Sequence, residues 1–366
     1  MRKFITLWLS CVLFLPELVW ASVNVVVIAP QEGEYADFGR ELAEGVKIAA
    51  NETNAQGGIL GHKINVIVAD DRCNDRYAVS MAQMLSVKAD EEDKVSLVVG
   101  PYCDNEIATV ADIYAKAGIL QIMPLPASAE LNNNSFVWKL AETREKQAKT
   151  FFDFYMQRFS GQNVALVYNS MQRNDVAIAA VVQKLFLESG QANKLTVYAF
   201  DMFQKDYDLL AKEVLLNNQV VYIVGNTKET AKLVRNIRKK DEHTAVFVSR
   251  YLEQLTYDNI VDSDMKGIYY LGLKNFKDNP SFAEKLVNLR LKGMEPVRLG
   301  VYGYGALSYW VELVKKSNSF SALKLQAIAK NAQVEIPWGL FQKDKIQETQ
   351  MYGVFEKQGE EYIQIY

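Results

Sequence analysis

The segment from Asn54 to Asp75, NAQGGILGHKINVIVADDRCND, restricts the fold more than any other stretch of the chain. Gly57 and Gly58 supply positions where positive φ costs little, so a helix arriving from Phe38 stops there. Gly61 allows a second tight turn. Residues 64–69 then form a nearly continuous apolar run, the pattern of a parallel strand covered on both faces. The run ends in Asp70-Asp71-Arg72-Cys73, at the strand's carboxyl edge, which is where open α/β sheets bind ligands.

The same unit recurs along the chain. Strands are predicted at 23–28, 64–69, 95–99 and 119–123, with helices at 38–54, 76–88 and 105–117 between them. Asp37, Asp75 and Asp104 are the expected N-caps, and Gly118 the stop of the third helix. Four such units joined by short connections form a parallel sheet with right-handed crossovers. A second series follows, with a helix at 147–159 and strands at 164–168, 195–200, 220–225, 245–249 and 267–271. Two further helical patterns, 282–292 and 300–316, are assigned to the first lobe, and residues 352–366 read as a hairpin turning at Gly359. A length of 366 residues, well above the size of one ordinary domain, fits two lobes. The expected class is α/β, two lobes each with a parallel sheet flanked by helices, and three interlobe crossings. Lobe one takes 22–141 and 272–349, and lobe two 142–271 and 350–366.

The first residues have the form of an export signal. Arg2 and Lys3 precede an apolar stretch over 4–15, and Val19-Trp20-Ala21 fits cleavage after Ala21, which places the mature protein in the periplasm. That apolar stretch is too short to span a bilayer. Cys11 lies inside it and leaves with it, so Cys73 and Cys103 remain, in a compartment where thiols are oxidised. A disulfide between them follows, expected at the ends of neighbouring strands. His62 and His243 stand at no ligand spacing from a cysteine, so neither metal nor cofactor is expected.

A net charge of −3 and the lack of a basic stripe exclude nucleic-acid binding. Catalysis finds no support either. G-x-S-x-G, H-E-x-x-H and Walker A sequences are all missing, and Asp70 and Asp71, adjacent on a strand, point to opposite faces. The glycines at 300, 303 and 305 run G-x-x-G-x-G inside a helical pattern, which is not a dinucleotide fingerprint.

Seven pieces in a fixed order carry a family resemblance: GEYADFG at 33–39, NAQGGILGHKI, ADDRCND, VVGPYCDN at 98–105, ADIYAKAGILQIMP at 111–124, PASAEL at 126–131, and YGVF near the end. With these the chain resembles the leucine/isoleucine/valine-binding proteins of ABC importers and their type I periplasmic binding fold. The resemblance implies a small amino acid or related polar or zwitterionic metabolite held between lobes that close about hinges near 140–144, 271–275 and 349–353, and delivered to a permease. A ligand sensor or envelope regulator on the same fold is the alternative. The two cysteines fall where that family has its disulfide.

The resemblance also implies site residues. Phe38 falls where relatives place an aromatic against the ligand side chain. Asp104 replaces a serine that, with the helix N-terminus, holds the ligand's α-carboxylate, and an aspartate there repels one. Ala127 or Ser128 occupies the companion segment. Across the cleft, Arg173 replaces an aromatic, and Tyr251, beside Arg250, replaces the acid that receives the ligand's ammonium. Arg144 also stands where relatives carry an acid. Asn226, Tyr302 and Tyr304 match the remaining cleft-lining positions.

Overall fold

The computed structural model describes residues 21–33, 35–87, 94–127, 135–201, 203–249, 266–274, 279–294, 296, 298–343, 345, 351–358 and 361–366, with backbone alone at 104–106, 281 and 361. The first sheet is five-stranded and wholly parallel. Its strands are β1 (Ala21–Ile28), β2 (His62–Ala69), β3 (Val95–Val99), β4 (Leu120–Met123) and β5 (Val137–Lys139), in the order β2-β1-β3-β4-β5. Helices α1 (Ala36–Ala55), α2 (Asp75–Ser86) and α3 (Asp104–Ala117) follow the first three strands. β5, only three residues long, was not legible as a strand in the sequence.

Two expectations need correction here. The run at 64–69 is not covered on both faces: β2 is an edge strand, with Ile67 40% exposed, and the strand of the pair that is buried, from Val23 to Ile28, is β1. The acids expected as caps lie one residue past the N-cap, for Asp75 and Asp104, or two, for Asp37. Tyr35, Asn74 and Cys103 are the N-caps, Asn74 alone among them accepting a side-chain bond, from the Arg76 N–H. Asp37 and Asp75 sit in the first turn and Asp104 opens its helix. An acid in the first turn meets the same positive helix end as a cap does, so it marks the start only to within a residue or so. Gly118, in the left-handed conformation at φ 72°, stops α3 as expected.

The second sheet has seven strands. β6 (Val164–Asn169), β7 (Leu195–Phe200), β8 (Val220–Val224), β9 (Ala245–Val248) and β10 (Ile268–Leu273) pair in parallel. The hairpin β13 (Tyr352–Gln358) and β14 (Glu361–Gln364) adds to β10 antiparallel, giving the order β14-β13-β10-β9-β8-β6-β7. Its expected turn at Gly359 lies outside the described residues. Helices α4 (Lys146–Arg158) and α5 (Arg173–Glu188) cover one face, and α6 (Tyr207–Leu215) and α7 (Thr227–Arg238) the other. With both faces covered, a central strand has to be apolar throughout; β8, VVYIV, is buried at every position.

Helices α8 (Pro280–Leu291), α9 (Leu299–Ser317) and α10 (Ala322–Ala329), with the small hairpin β11 (Val334–Ile336) and β12 (Gly339–Phe341), pack into the hydrophobic cluster of the first sheet. The decisive contact is α1 against α9. A Cβ on Gly45 would lie 1.8 Å from the Gly300 carbonyl oxygen, and one on Gly303 2.2 Å from that of Leu42. The two helices therefore touch backbone to backbone, and α9, apolar nearly all round, is almost wholly buried.

Candidate functional site

The carboxyl edge of the first sheet carries an aromatic wall. The β1–α1 connection brings Tyr35 and Phe38 to it, and the residues after β3 bring Tyr102, because β1 and β3 are neighbours. The Phe38 and Tyr102 rings are nearly parallel, 10° apart with centroids 6.3 Å apart, and Tyr35 inclines on Tyr102 at 6.1 Å. Phe38 is half-buried, packed against the main cluster of this lobe.

Arg298 overlies this wall. It immediately precedes α9, whose first turn lies against the first half of α1, where Gly300 rests on Gly45 and Glu41. Its guanidinium carbon is 5.6 Å from the Phe38 centroid, within cation–π range. Nε and Nη2 both donate to Glu41 Oε1, the former at 2.8 Å. Sequence reading missed Tyr35, Tyr102 and Arg298. The tyrosines stand inside GEYADFG and VVGPYCDN and were within its reach, whereas nothing local to Arg298 points to Phe38.

Cys73 and Cys103 are bonded on the same edge, with Cα atoms 5.4 Å apart. The sequence led to neighbouring strands, and that expectation fails, because β1 runs between β2 and β3. The bridge instead joins two connections that converge beyond the end of β1. Asp70 Oδ1 accepts the Arg72 N–H and Asp71 Oδ1 the Cys73 N–H, folding the β2–α2 connection so that Arg72 and Cys73 take φ of 55° and 48°.

The other expected residues divide into three groups. Asp104 begins α3 at this edge, its side chain lying outside the described residues, as do Ser128, Arg250 and Tyr251 altogether. Ala127 is fully buried, and its carbonyl accepts the Arg144 N–H at 3.3 Å. Arg144 Nη2 donates to Pro126 O at 3.3 Å, so this arginine is tied to the segment after β4. On the second sheet, Arg173 is exposed at the first position of α5, and Asn226 follows β8, so the two stand at adjacent strand ends. The Asn226 side chain caps α7, accepting the Glu229 N–H at 3.3 Å.

Tyr302 and Tyr304 are core residues rather than members of the edge. Burial, together with the Glu52 carboxylate that accepts the Tyr304 hydroxyl at 2.5 Å, raises the Tyr304 pKa. Glu52 lies 14 residues beyond Phe38 on α1, about 21 Å along the helix axis, so Tyr304 is remote from the aromatic wall. Tyr302 donates to Lys274 O at 3.3 Å, in a second polar cluster.

That cluster stands where the chain passes between the sheets. Buried Glu142 follows β5, and its Oε1 accepts the N–H groups of Met351 and of Tyr352, the latter at 3.1 Å. Lys274, after β10, donates its N–H to Met351 O at 2.8 Å. Desolvation raises the Glu142 pKa, opposed by the two N–H donors and by Lys146 and Lys274, and desolvation lowers that of Lys274. Gln147 Nε2 reaches Ser249 O at 2.8 Å and Leu271 O at 3.0 Å. Among the described residues no cluster of metal-ligating side chains occurs, and no helix is long and apolar enough to cross a membrane.

Residues 22–355 match the family of periplasmic binding proteins. The chain belongs to that family. It is 24% identical over 278 residues to the Leu/Ile/Val-binding protein of Escherichia coli (strain K12), covering 75% of this chain and 74% of that one. It is 26% identical over 320 residues to an amino acid binding protein of Pseudomonas aeruginosa, covering 84% and 82%. Its fold matches the crystal structure of a leucine binding protein, LivK, from Thermotoga maritima, with a TM-score of 0.78 at 19% identity over 94% of this chain and 98% of the other. The type I periplasmic binding fold, with two parallel-sheet lobes, is thereby established, as is a solute-binding rather than enzymatic role.

Proposed function

We propose that the chain captures an amino acid or a related small polar or zwitterionic metabolite between two closing lobes and delivers it to an ABC permease of the inner membrane. The observation that carries this reading is the pairing of two sheets, one parallel and one parallel but for its terminal hairpin, each with its own carboxyl edge, through chain passages at 140–147, 271–274 and 351–353 that hydrogen-bond side by side. Such edges are where open α/β sheets bind ligands, and short adjacent passages are where rigid bodies hinge. Lobe one then comprises 22–141 and 272–349, and lobe two 142–271 and 350–366.

The names of the E. coli and P. aeruginosa relatives support an amino acid as cargo. Membership of the family supports a periplasmic location, with cleavage of the export signal after Ala21 as the specific expectation. Phe38 and Tyr102 form one wall, Arg173 and Asn226 stand at the facing edge, and Asp104, Ser128, Arg250 and Tyr251 complete the proposed set.

A thermal-shift screen of the mature protein against amino acids, organic acids and amines tests the reading. A solute at 100 times its Kd adds roughly 2.7 kcal/mol of stability. The bound form is expected to be more compact in solution scattering, and Phe38→Ala is expected to weaken binding. A scattering curve unchanged at saturating solute refutes lobe closure.

A further inference from the structure

Arg298 is the cation on the aromatic wall, and its geometry specifies what it receives. The guanidinium presents two usable edges. The Nε/Nη2 edge is spent on Glu41 Oε1, while Nη1 has no acceptor among the described residues. With the second Nη2 hydrogen, Nη1 makes a free fork of the kind that matches a carboxylate bidentately. The side chain is 39% exposed and lies over Phe38, so the arginine is partly open to solvent at the same edge as the wall.

The position is also fixed before any solute arrives. Glu41, only 16% exposed in its side chain, clamps one edge, and the Phe38 face supports the plane. The backbone of Arg298 adopts φ 41°, ψ −110°, a conformation a non-glycine residue holds at a cost, maintained here by the α1–α9 crossing. An arginine immobilised in this way loses little conformational freedom on binding.

We propose that Arg298 is the residue of lobe one that recognises an anionic oxygen pair of the solute, in practice a carboxylate, with the rest of the solute against Phe38 and Tyr102. This rests on the proposed solute cleft at the same edge. It reassigns the anion-holding role away from the start of α3, where the residue is Asp104. Glu41 makes the pair neutral overall, so recognition comes from hydrogen-bond direction rather than from net charge.

The test is a thermal-shift panel in which each carboxylate is matched with its amide: leucine and leucinamide, phenylalanine and its amide, glutamate and glutamine, benzoate and benzamide. Calorimetry then gives Kd for the best binder and its partner. The wild type is expected to favour carboxylates, and Arg298→Met to weaken that binding by about 10- to 150-fold, the span of one charge-assisted hydrogen bond, and to erase the preference over the amide. Arg298→Lys, which keeps the charge and loses the fork, is expected to fall between. Since Arg298→Met leaves Glu41 unpaired, the double variant with Glu41→Gln guards against a folding defect and is expected to show the same loss of preference.

Unchanged affinity and preference in both arginine variants, with binding weakened by Phe38→Ala, overturns the assignment while leaving the cleft in place. Insensitivity of all variants, Phe38→Ala included, overturns the cleft at this edge as well. A panel in which only neutral or cationic solutes bind, or none, also overturns the assignment.

Discussion

Adding one methyl group at Gly45 should destabilise the protein although it improves the helix. An ideal Cβ there would meet Gly300 O at 1.8 Å, Gly300 C at 2.6 Å and Gly300 Cα at 2.8 Å, all of them backbone atoms that no rotamer change can move. To restore even a 3.0 Å contact, α1 and α9 must separate or slide by about 1.2 Å, the difference between 3.0 and 1.8 Å. A gap of that size forfeits a quarter to a half or more of the dispersion energy of the facing atoms, and overpacking of this kind costs about 1–3 kcal/mol. Replacing glycine by alanine in a helix returns about 1 kcal/mol. Because the clash is with rigid backbone the cost belongs at the upper end, and the net loss should be about 2 kcal/mol. Gly303→Ala, 2.2 Å from Leu42 O, should behave alike, whereas Gly300→Ala, 3.1 Å from Glu41 O, should be near neutral. Urea unfolding followed by tryptophan fluorescence is the assay, since Trp138, Trp310 and Trp338 lie in the same cluster. A Gly45→Ala protein that gains about 1 kcal/mol would refute backbone contact at this crossing, and with it the account of how Arg298 reaches Phe38.

Denatured, unreduced mature protein should contain no titratable thiol, and reduction of Cys73–Cys103 should lower stability by roughly 3–4 kcal/mol for a separation of 30 residues; two free thiols would contradict the bond. Burial lifts the folded-state pKa of Glu142 above the ordinary 4.5, so its contribution to stability is present below that value and is lost as pH rises through the raised one. Glu142→Gln should therefore gain stability relative to wild type as pH rises, and parallel pH–stability curves for the two proteins would exclude this. Asn226→Ala should cost about 1 kcal/mol through loss of the α7 cap, with Asn226→Asp close to wild type; a melting temperature unmoved by the alanine would show that the cap contributes nothing.

Most strands of the two sheets, and the helices of the first repeating series, were legible because their signals are local; β5, the helices α5 to α7 and the small hairpin β11–β12 were not read. The apolar run of β8, the glycine that stops α3 and the acids of the first helical turns act within a few residues of themselves. The family motifs, being contiguous, also brought Phe38 and Asp104 to notice. Limits arose wherever the answer depended on a neighbour in space. An apolar run such as residues 64–69 reads alike in a central strand and at an edge, and only sheet order made β2 the outer one. The same order put β1 between the strands leading to the two cysteines.

The cysteine count, the helix periods and the export-type N-terminus are properties of the sequence by itself. Tyr304 shows where periodicity stops: a residue on an apolar helix is known to be buried, but not which helix it meets, and it meets Glu52 rather than the cleft edge. Arg298 and Phe38 are separated by 260 positions in the chain, and three glycines at 45, 300 and 303 let two helices approach closely enough to join them. Local interactions fix each element, but the meeting of distant elements depends on backbone approach and sheet order, which only the packed chain determines.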